Sequence, residues 1–279
     1  MAHPVLLDGA TGTECERRGL PVDPSLFWAG WVDTHPETVL AIHEEYVRAG
    51  AQVITTCTFC TSPFVLEQAG MKARVESLNR RAVELARTAV RNAGDGREVL
   101  VAGGVPAIGP HFREYYDDFP GQIEPLADAG ADIILIEMAC RETEVRKATG
   151  AAVATGLPTW VGMTCQIADG GSYLGVFDRA DHVPVDSCAR AAKAAEDLGA
   201  AALLAMHTPV GMVPPTLAAM QRATKLPVGA YANNPKGAWL DPGEYAEHAQ
   251  AWVAQGAAFV GGCCGTRPAH IRTLRNALS

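Results

Sequence analysis

RAGAQVITT (residues 48–56), DAGADIILIE (128–137), DLGAAALLAMH (197–207) and AQGAAFVGG (254–262) repeat one pattern: the end of a helix-like stretch, then Gly-Ala, then a short apolar run. Each glycine (Gly50, Gly130, Gly199, Gly256) suits the left-handed position that follows a helix, and each run after it is too short to be another helix. Such runs read as strands of a parallel sheet covered on both faces. Four further runs, PVLLDG (4–9), REVLVAGGV (97–105), LPTWVGMT (157–164) and LPVGAYAN (226–233), bring the strands to eight. The segments 36–50, 73–94, 185–199 and 241–256 place apolar residues at three- and four-residue steps and read as helices. Eight strands alternating with helices form either a closed barrel or an open doubly wound sheet. Even spacing, the lack of a GxGxxG opening the first helix, and a last helix at 268–279 favour the α/β class and a (β/α)₈ TIM barrel, one domain over residues 1–279.

A net charge of -8 argues against nucleic acid as a partner, because such binding needs a basic patch or stripe. No run of about 18 uncharged apolar residues exists, and the start MAHPVLLDGATG lacks the basic opening of a signal peptide, so a cytoplasmic protein without a membrane partner is expected. Eight cysteines in a chain with this much core do not imply disulfides. Cys15 and Cys188, in helical contexts, read as small buried apolar residues.

In a barrel the chemistry lies where strands end and the following loops begin. Those positions are Asp8, 55–60, 103–110, Glu137, 164–169, 206–209, 231–234 and 261–266, and they hold most of the unusual residues. Asp8 and Glu137 are carboxylates ending apolar strands, and His207 ends AALLAMH in the same way. For each alone, a helix cap or a satisfied polar group at a strand end is the competing reading. Cys263 and Cys264 follow an apolar run inside FVGGCCGTRPAH (259–270). On a regular strand adjacent side chains face opposite sides, but at a terminus among glycines the backbone can turn and let both sulfurs converge. A vicinal disulfide is the alternative, at the cost of a strained ring. Two thiolates, one more ligand and one open position describe a catalytic zinc site.

The segments LLDGATGTE (6–14), FWAGW through HPE (27–37), IHEEYVRAGAQVITTCTF (42–59), the strand ending in Glu137, and GGCCGTRPAHI (261–271) resemble the homocysteine S-methyltransferases nearly end to end. That resemblance implies a (β/α)₈ barrel in which zinc, held by three cysteines, binds the acceptor thiol. It assigns Cys263 and Cys264 as two ligands, gives Asp8 and Glu137 the amino group of an amino-acid acceptor, and gives its carboxylate to Thr56 and the backbone around Gly9. The family's third ligand is a cysteine at the end of strand six, where this chain has His207, a competent zinc ligand in its own right. Cys165, ending strand five, is the alternative third ligand, and Cys57 and Cys60 end strand two. Cys57 stands where many members have Asn, and Ala232 precedes Asn233 where many have Pro, so the substrate pocket is expected to differ there. Trp28 and Trp31, with Tyr231, suit a cationic methyl donor, since onium groups bind over aromatic faces, although ordinary loop anchoring explains such residues equally well.

The activity expected from the resemblance is zinc-dependent methyl transfer from a small sulfonium or ammonium donor (S-methylmethionine or S-adenosylmethionine first, betaine next) to a thiol such as homocysteine. Two other readings fit the same residues: a zinc-dependent hydrolase or lyase on the same barrel, and a barrel without catalysis.

Overall fold

Gly50, Gly130, Gly199 and Gly256 all adopt left-handed backbone conformations (φ 113°, 93°, 96° and 98°), each placed between a helix and the strand it introduces. The computed structural model describes residues 3–107, 118–168, 171–175, 186–234 and 239–279. Eight parallel strands run in barrel order: β1 (Val5–Leu6), β2 (Val53–Thr55), β3 (Leu100–Pro106), β4 (Ile133–Ala139), β5 (Thr159–Met163), β6 (Ala202–Pro209), β7 (Val228–Asn233) and β8 (Phe259–Gly262). β1 pairs with β8, and a parallel bridge between Leu7 and Val53 brings β1 beside β2. Asp8 N–H donates to the Val53 carbonyl at 3.0 Å and Gln52 N–H to the Leu6 carbonyl at 2.7 Å, which closes the ring.

Alternation along the strands sorts the core into two layers. Leu7, Val53, Ala102, Ile133, Leu135, Ala202 and Leu204 fill the barrel interior, where Trp160 packs on Phe259 with ring centroids 4.6 Å apart. Their strand neighbours, including Ile54, Val101, Ile134, Ile136, Leu203 and Ala205, face the helical shell. The expected helices form at Pro36–Ala49, Val75–Ala93, Cys188–Asp197, Pro242–Ala254 and Pro268–Leu278. Asp241 and Glu244 close a reciprocal capping box at the start of the fourth of these.

One stretch read as a loop is more ordered than expected. Cys165–Ala168 and Gly171–Leu174 form an antiparallel hairpin beyond β5, in which the loop satisfies its own backbone groups. Asp169, residues 108–110 of the third strand-end segment and residue 185 of a helical segment lie outside the described residues. Among the described residues no helix is long and apolar enough to cross a membrane.

Candidate metal centre and substrate cavity

Two β-bulges shape the C-terminal mouth. Along β6, Ala202, Leu204 and Met206 face inward, so regular alternation would turn His207 toward the helices. The β6–β7 register instead shifts between Met206 and Pro209, and His207 takes a left-handed conformation (φ 50°). Met206 and His207 therefore both line the mouth cavity. The same device operates on β4: the register shifts between Ile136 and Ala139, Met138 has φ 54°, and Glu137 and Met138 both face the cavity. Histidine is among the residues that enter this backbone region more readily than most, whereas methionine is held there by the surrounding structure.

His207 meets the cysteine pair. Its Nδ1 lies 3.5 Å from Cys263 Sγ and 3.5 Å from Cys264 Sγ, and the two sulfurs are 3.9 Å apart. A tetrahedral zinc ion with metal–sulfur bonds of about 2.3 Å and a metal–nitrogen bond of about 2.0 Å sets its ligand atoms about 3.8 Å (S to S) and about 3.5 Å (S to N) apart. The three side chains thus fit a zinc ion as they stand, and among the described residues they are the one group of three or more such ligands gathered closely enough to hold a metal. A hydrogen bond from the Cys263 thiol, aided by His207, holds Cys264 well below the ordinary thiol range, while that contact and burial push Cys263 up. None of the eight cysteines is joined in a disulfide, Cys263 and Cys264 included.

The cysteine loop is fastened to the DGATGT segment because β1 and β8 are neighbours. The Thr266 hydroxyl donates to the Cys263 carbonyl (2.6 Å) and accepts from Ala10 N–H (3.2 Å), while Gly265 N–H donates to the Thr13 hydroxyl (3.1 Å). Tyr46 adds a bond from its hydroxyl to the Ala10 carbonyl at 2.8 Å. Gly262 allows this closeness: a Cβ there would stand 2.3 Å from Thr266 Oγ1.

Asp8 and Glu137 line the same cavity, which opens to solvent. Asp8 accepts from the Thr55 N–H (2.8 Å) and hydroxyl (3.2 Å), yet burial outweighs these bonds and pushes its carboxyl up to about 7. Glu137 is pushed up to about 8 by burial, reinforced by the charges of Asp8 and Cys264 and opposed by a long hydrogen bond from Tyr231 (3.5 Å). Gly104 leaves room for that carboxylate, since a Cβ would lie 2.7 Å from Glu137 Oε2. Two mutually repelling acidic groups in a buried cavity, with no Lys or Arg among its described lining residues, make a setting that favours a cation.

Gly9, Thr56, Trp28 and Tyr231 also line this cavity. Trp28 is set by a bond from its indole N–H to Glu16 (2.8 Å) and lies against Phe59 with centroids 6.2 Å apart. Phe59 and Thr55 are cavity residues that the sequence reading did not single out, although both lie in its strand-two segment. Trp31 is buried and bonded to the Pro21 carbonyl (2.9 Å), outside the cavity lining. Cys57 and Cys60 do line it, but burial pushes Cys57 far up and Cys60 up to about 12, so both stay protonated.

Cys165 is placed elsewhere: fully buried at the root of the hairpin, it belongs with Cys188 to the core of the helical layer. It does not join His207, Cys263 and Cys264 because the chain turns into the hairpin directly after Thr164. Asn233 is also absent from the cavity lining; it lies two residues beyond Tyr231, nearer the mouth.

A sequence profile of the homocysteine S-methyltransferase family matches residues 5–278. Homocysteine S-methyltransferase of Escherichia coli (strain K12) is 30% identical, with 97% of this chain and 94% of that protein aligned. Betaine–homocysteine S-methyltransferase 1 of Danio rerio is 29% identical, over 88% of this chain and 66% of that protein. The crystal structure of the homocysteine methyltransferase MmuM from Escherichia coli in its metallated form superposes with a TM-score of 0.80 at 26% identity, covering 99% of this chain and 96% of that one. Barrel, cysteine loop and end-to-end likeness agree: the chain belongs to the homocysteine S-methyltransferase family.

Proposed function

We propose that this methyltransferase moves a methyl group from a small onium donor to the thiol of an amino-acid acceptor, with zinc held by His207, Cys263 and Cys264. The observation that carries this reading is the tetrahedral spacing of those three side chains in a cavity that also contains the Asp8 and Glu137 carboxylates. Zinc bound there ionises the acceptor thiol at neutral pH.

Asp8 and Glu137 take the acceptor's ammonium group, and that pairing returns both carboxyls to the ionised form. The backbone at Gly9 receives its carboxylate, joined by the Thr56 hydroxyl once that turns from the Thr58 oxygen 2.7 Å away. Trp28, Phe59 and Tyr231 offer aromatic faces to the onium group. Transfer is an in-line displacement. The acceptor sulfur gives an electron pair to the methyl carbon, the bond from carbon to the onium atom breaks, and its electrons stay with a leaving atom that departs neutral. No general acid is required, so the remaining task of the protein is alignment, which contributes up to about 7–11 kcal/mol in well-oriented systems.

Homocysteine is the leading acceptor. A sulfonium, S-methylmethionine or S-adenosylmethionine, leads betaine as donor, and we place the enzyme in the cytoplasm, where thiols stay reduced. The test is to incubate zinc-loaded protein with a panel of thiols and isotopically labelled methyl donors and to identify products by mass. Folded, zinc-loaded protein that methylates no amino-acid thiol with any onium donor refutes the proposal. Hydrolysis or elimination in the same assay moves the chain to the hydrolase or lyase reading.

A further inference from the structure

Seven residues among those described carry a buried side-chain nitrogen or oxygen without a hydrogen-bond partner. Five of them (His43, Gln122, Glu144, Thr149, Trp252) sit on helices. The other two, Gln166 and Asn233, stand at the barrel mouth, with the Gln166 Nε2 donor and the Asn233 Oδ1 acceptor unpaired. A buried polar atom without a partner is costly enough that one at a strand end of a (β/α)₈ barrel marks a place for a ligand group.

Both residues bracket the same two positions, directly beyond the metal-ligand candidate His207. Asn233 pairs with Pro209 across β6 and β7, and Cys165 N–H, one residue before Gln166, donates to the Thr208 hydroxyl at 3.0 Å. Their directions follow from strand alternation. Tyr231 lines the cavity, so Asn233, two residues on and 6% exposed, lies on the same side of β7. Cys165 packs in the helical layer, in the same core as Cys188, and on the antiparallel hairpin strand Ser172 bonds Thr216 of the helix Val213–Ala223 at 3.1 Å. Gln166, between Cys165 and the Ser172 partner Ile167, consequently faces the mouth.

We propose that Gln166 and Asn233 form a subsite for an α-amino-acid head group on the methyl donor, selecting an amino-acid sulfonium over a quaternary ammonium acid. This rests on the methyltransferase reading above. The amide oxygen of Asn233 accepts from the donor's ammonium and the amide N–H of Gln166 donates to its carboxylate, two bonds of opposite sense that one α-amino acid supplies. Glycine betaine has the carboxylate but no N–H, and it leaves Asn233 Oδ1 unpaired. Asp8 and Glu137 do not duplicate this subsite, because they are committed to the acceptor's ammonium.

The test compares kcat/KM for S-methylmethionine, 3-(dimethylsulfonio)propanoate, trimethylsulfonium and glycine betaine at saturating homocysteine, in wild type, Asn233→Leu, Asn233→Asp and Gln166→Leu. Wild type is expected to prefer S-methylmethionine over the carboxylate-only sulfonium by about 10-fold or more. Asn233→Leu should lower kcat/KM for S-methylmethionine by about 10- to 100-fold through KM, a loss at least about 10-fold larger than with trimethylsulfonium. Asn233→Asp, which keeps an acceptor oxygen, should restore most of it. Equal losses with every donor, no loss, or a wild-type preference for glycine betaine overturns the subsite. If wild type methylates no thiol, the parent reading has failed, and calorimetric binding of S-methylmethionine to zinc-loaded protein decides this one separately: weaker binding by Asn233→Leu supports it, while unchanged binding or none by wild type overturns it.

Discussion

His207 Nδ1 lies 3.5 Å from Cys263 Sγ although β7 separates their two strands and the pleat of β6 would point the imidazole outward. The left-handed turn at His207 is what brings it in. Replacing Cys263 or Cys264 by Ala should abolish stoichiometric zinc, and with it activity, while leaving the fold intact by circular dichroism. His207→Ala should weaken zinc by at least about 100-fold in a competition titration, since one of three protein ligands is gone. Full zinc retention in Cys263→Ala would refute the assignment of the centre.

His207→Cys should keep zinc and shift the pH profile. Two thiolates and a neutral imidazole cancel the charge of a divalent zinc ion; a third thiolate leaves the site at minus one. The acceptor thiol then ionises less readily, so the acidic limb of kcat/KM should move to higher pH. A profile that stays in place, or moves to lower pH, contradicts His207 as a ligand.

Cys165→Ala separates the two candidates for the third ligand. Because Cys165 lies in the helical-layer core, apart from His207, Cys263 and Cys264, the variant should bind one equivalent of zinc at unchanged affinity. Its penalty is packing, about 1–3 kcal/mol of unfolding free energy for a small buried truncation, read from denaturant melts. Loss of zinc without loss of stability points the other way.

Glu137→Gln should raise the KM for an amino-acid acceptor about 10- to 100-fold, because a charge-assisted bond contributing about 1.5–3 kcal/mol is weakened. A thiol without an amine should be nearly indifferent to the change. Identical KM shifts for both acceptor classes would show that Glu137 does not read the ammonium.

Asp8 and Glu137 also set a pH dependence of stability. In the ligand-free fold they hold protons up to about 7 and about 8, against about 4 in the unfolded chain. Between those limits the folded state binds more protons, so their contribution is present at low pH and lost as pH rises through the folded values. Thermal melts of metal-free protein should show this loss from pH 5 to pH 8.5 and a shallower slope in Glu137→Gln. A slope unaffected by Glu137→Gln would mean that other groups dominate.

Gly262→Ala tests the clasp between the two motifs. The added Cβ would stand 2.3 Å from Thr266 Oγ1 and 2.5 Å from its Cγ2, so the loop carrying Cys263 must shift. Overpacking of this kind costs about 1–3 kcal/mol. Zinc affinity should fall with stability, and unaltered zinc binding would show that the clasp does not position the thiols.

The barrel was legible in the chain because its signal is local: a glycine leaving four of the helices, a short buried strand after it, and turns of apolar periodicity between. The cysteine loop and the two carboxylates were legible for the same reason, since the C-terminal end of a barrel strand is a position that sequence order reveals. Three things depended on tertiary structure. The bulges at Met138 and His207 invert the facing that alternation predicts, and their cause lies in register with the neighbouring strands rather than in the residues themselves. Cys165 and His207 both end strands in the sequence, and the hairpin after Thr164 is what sends one to the helical layer while the bulge sends the other to the sulfurs. The opposed Asp8 and Glu137, 129 residues apart in sequence numbering, acquire their raised proton affinity from shared burial, a property that neither segment carries until the barrel closes.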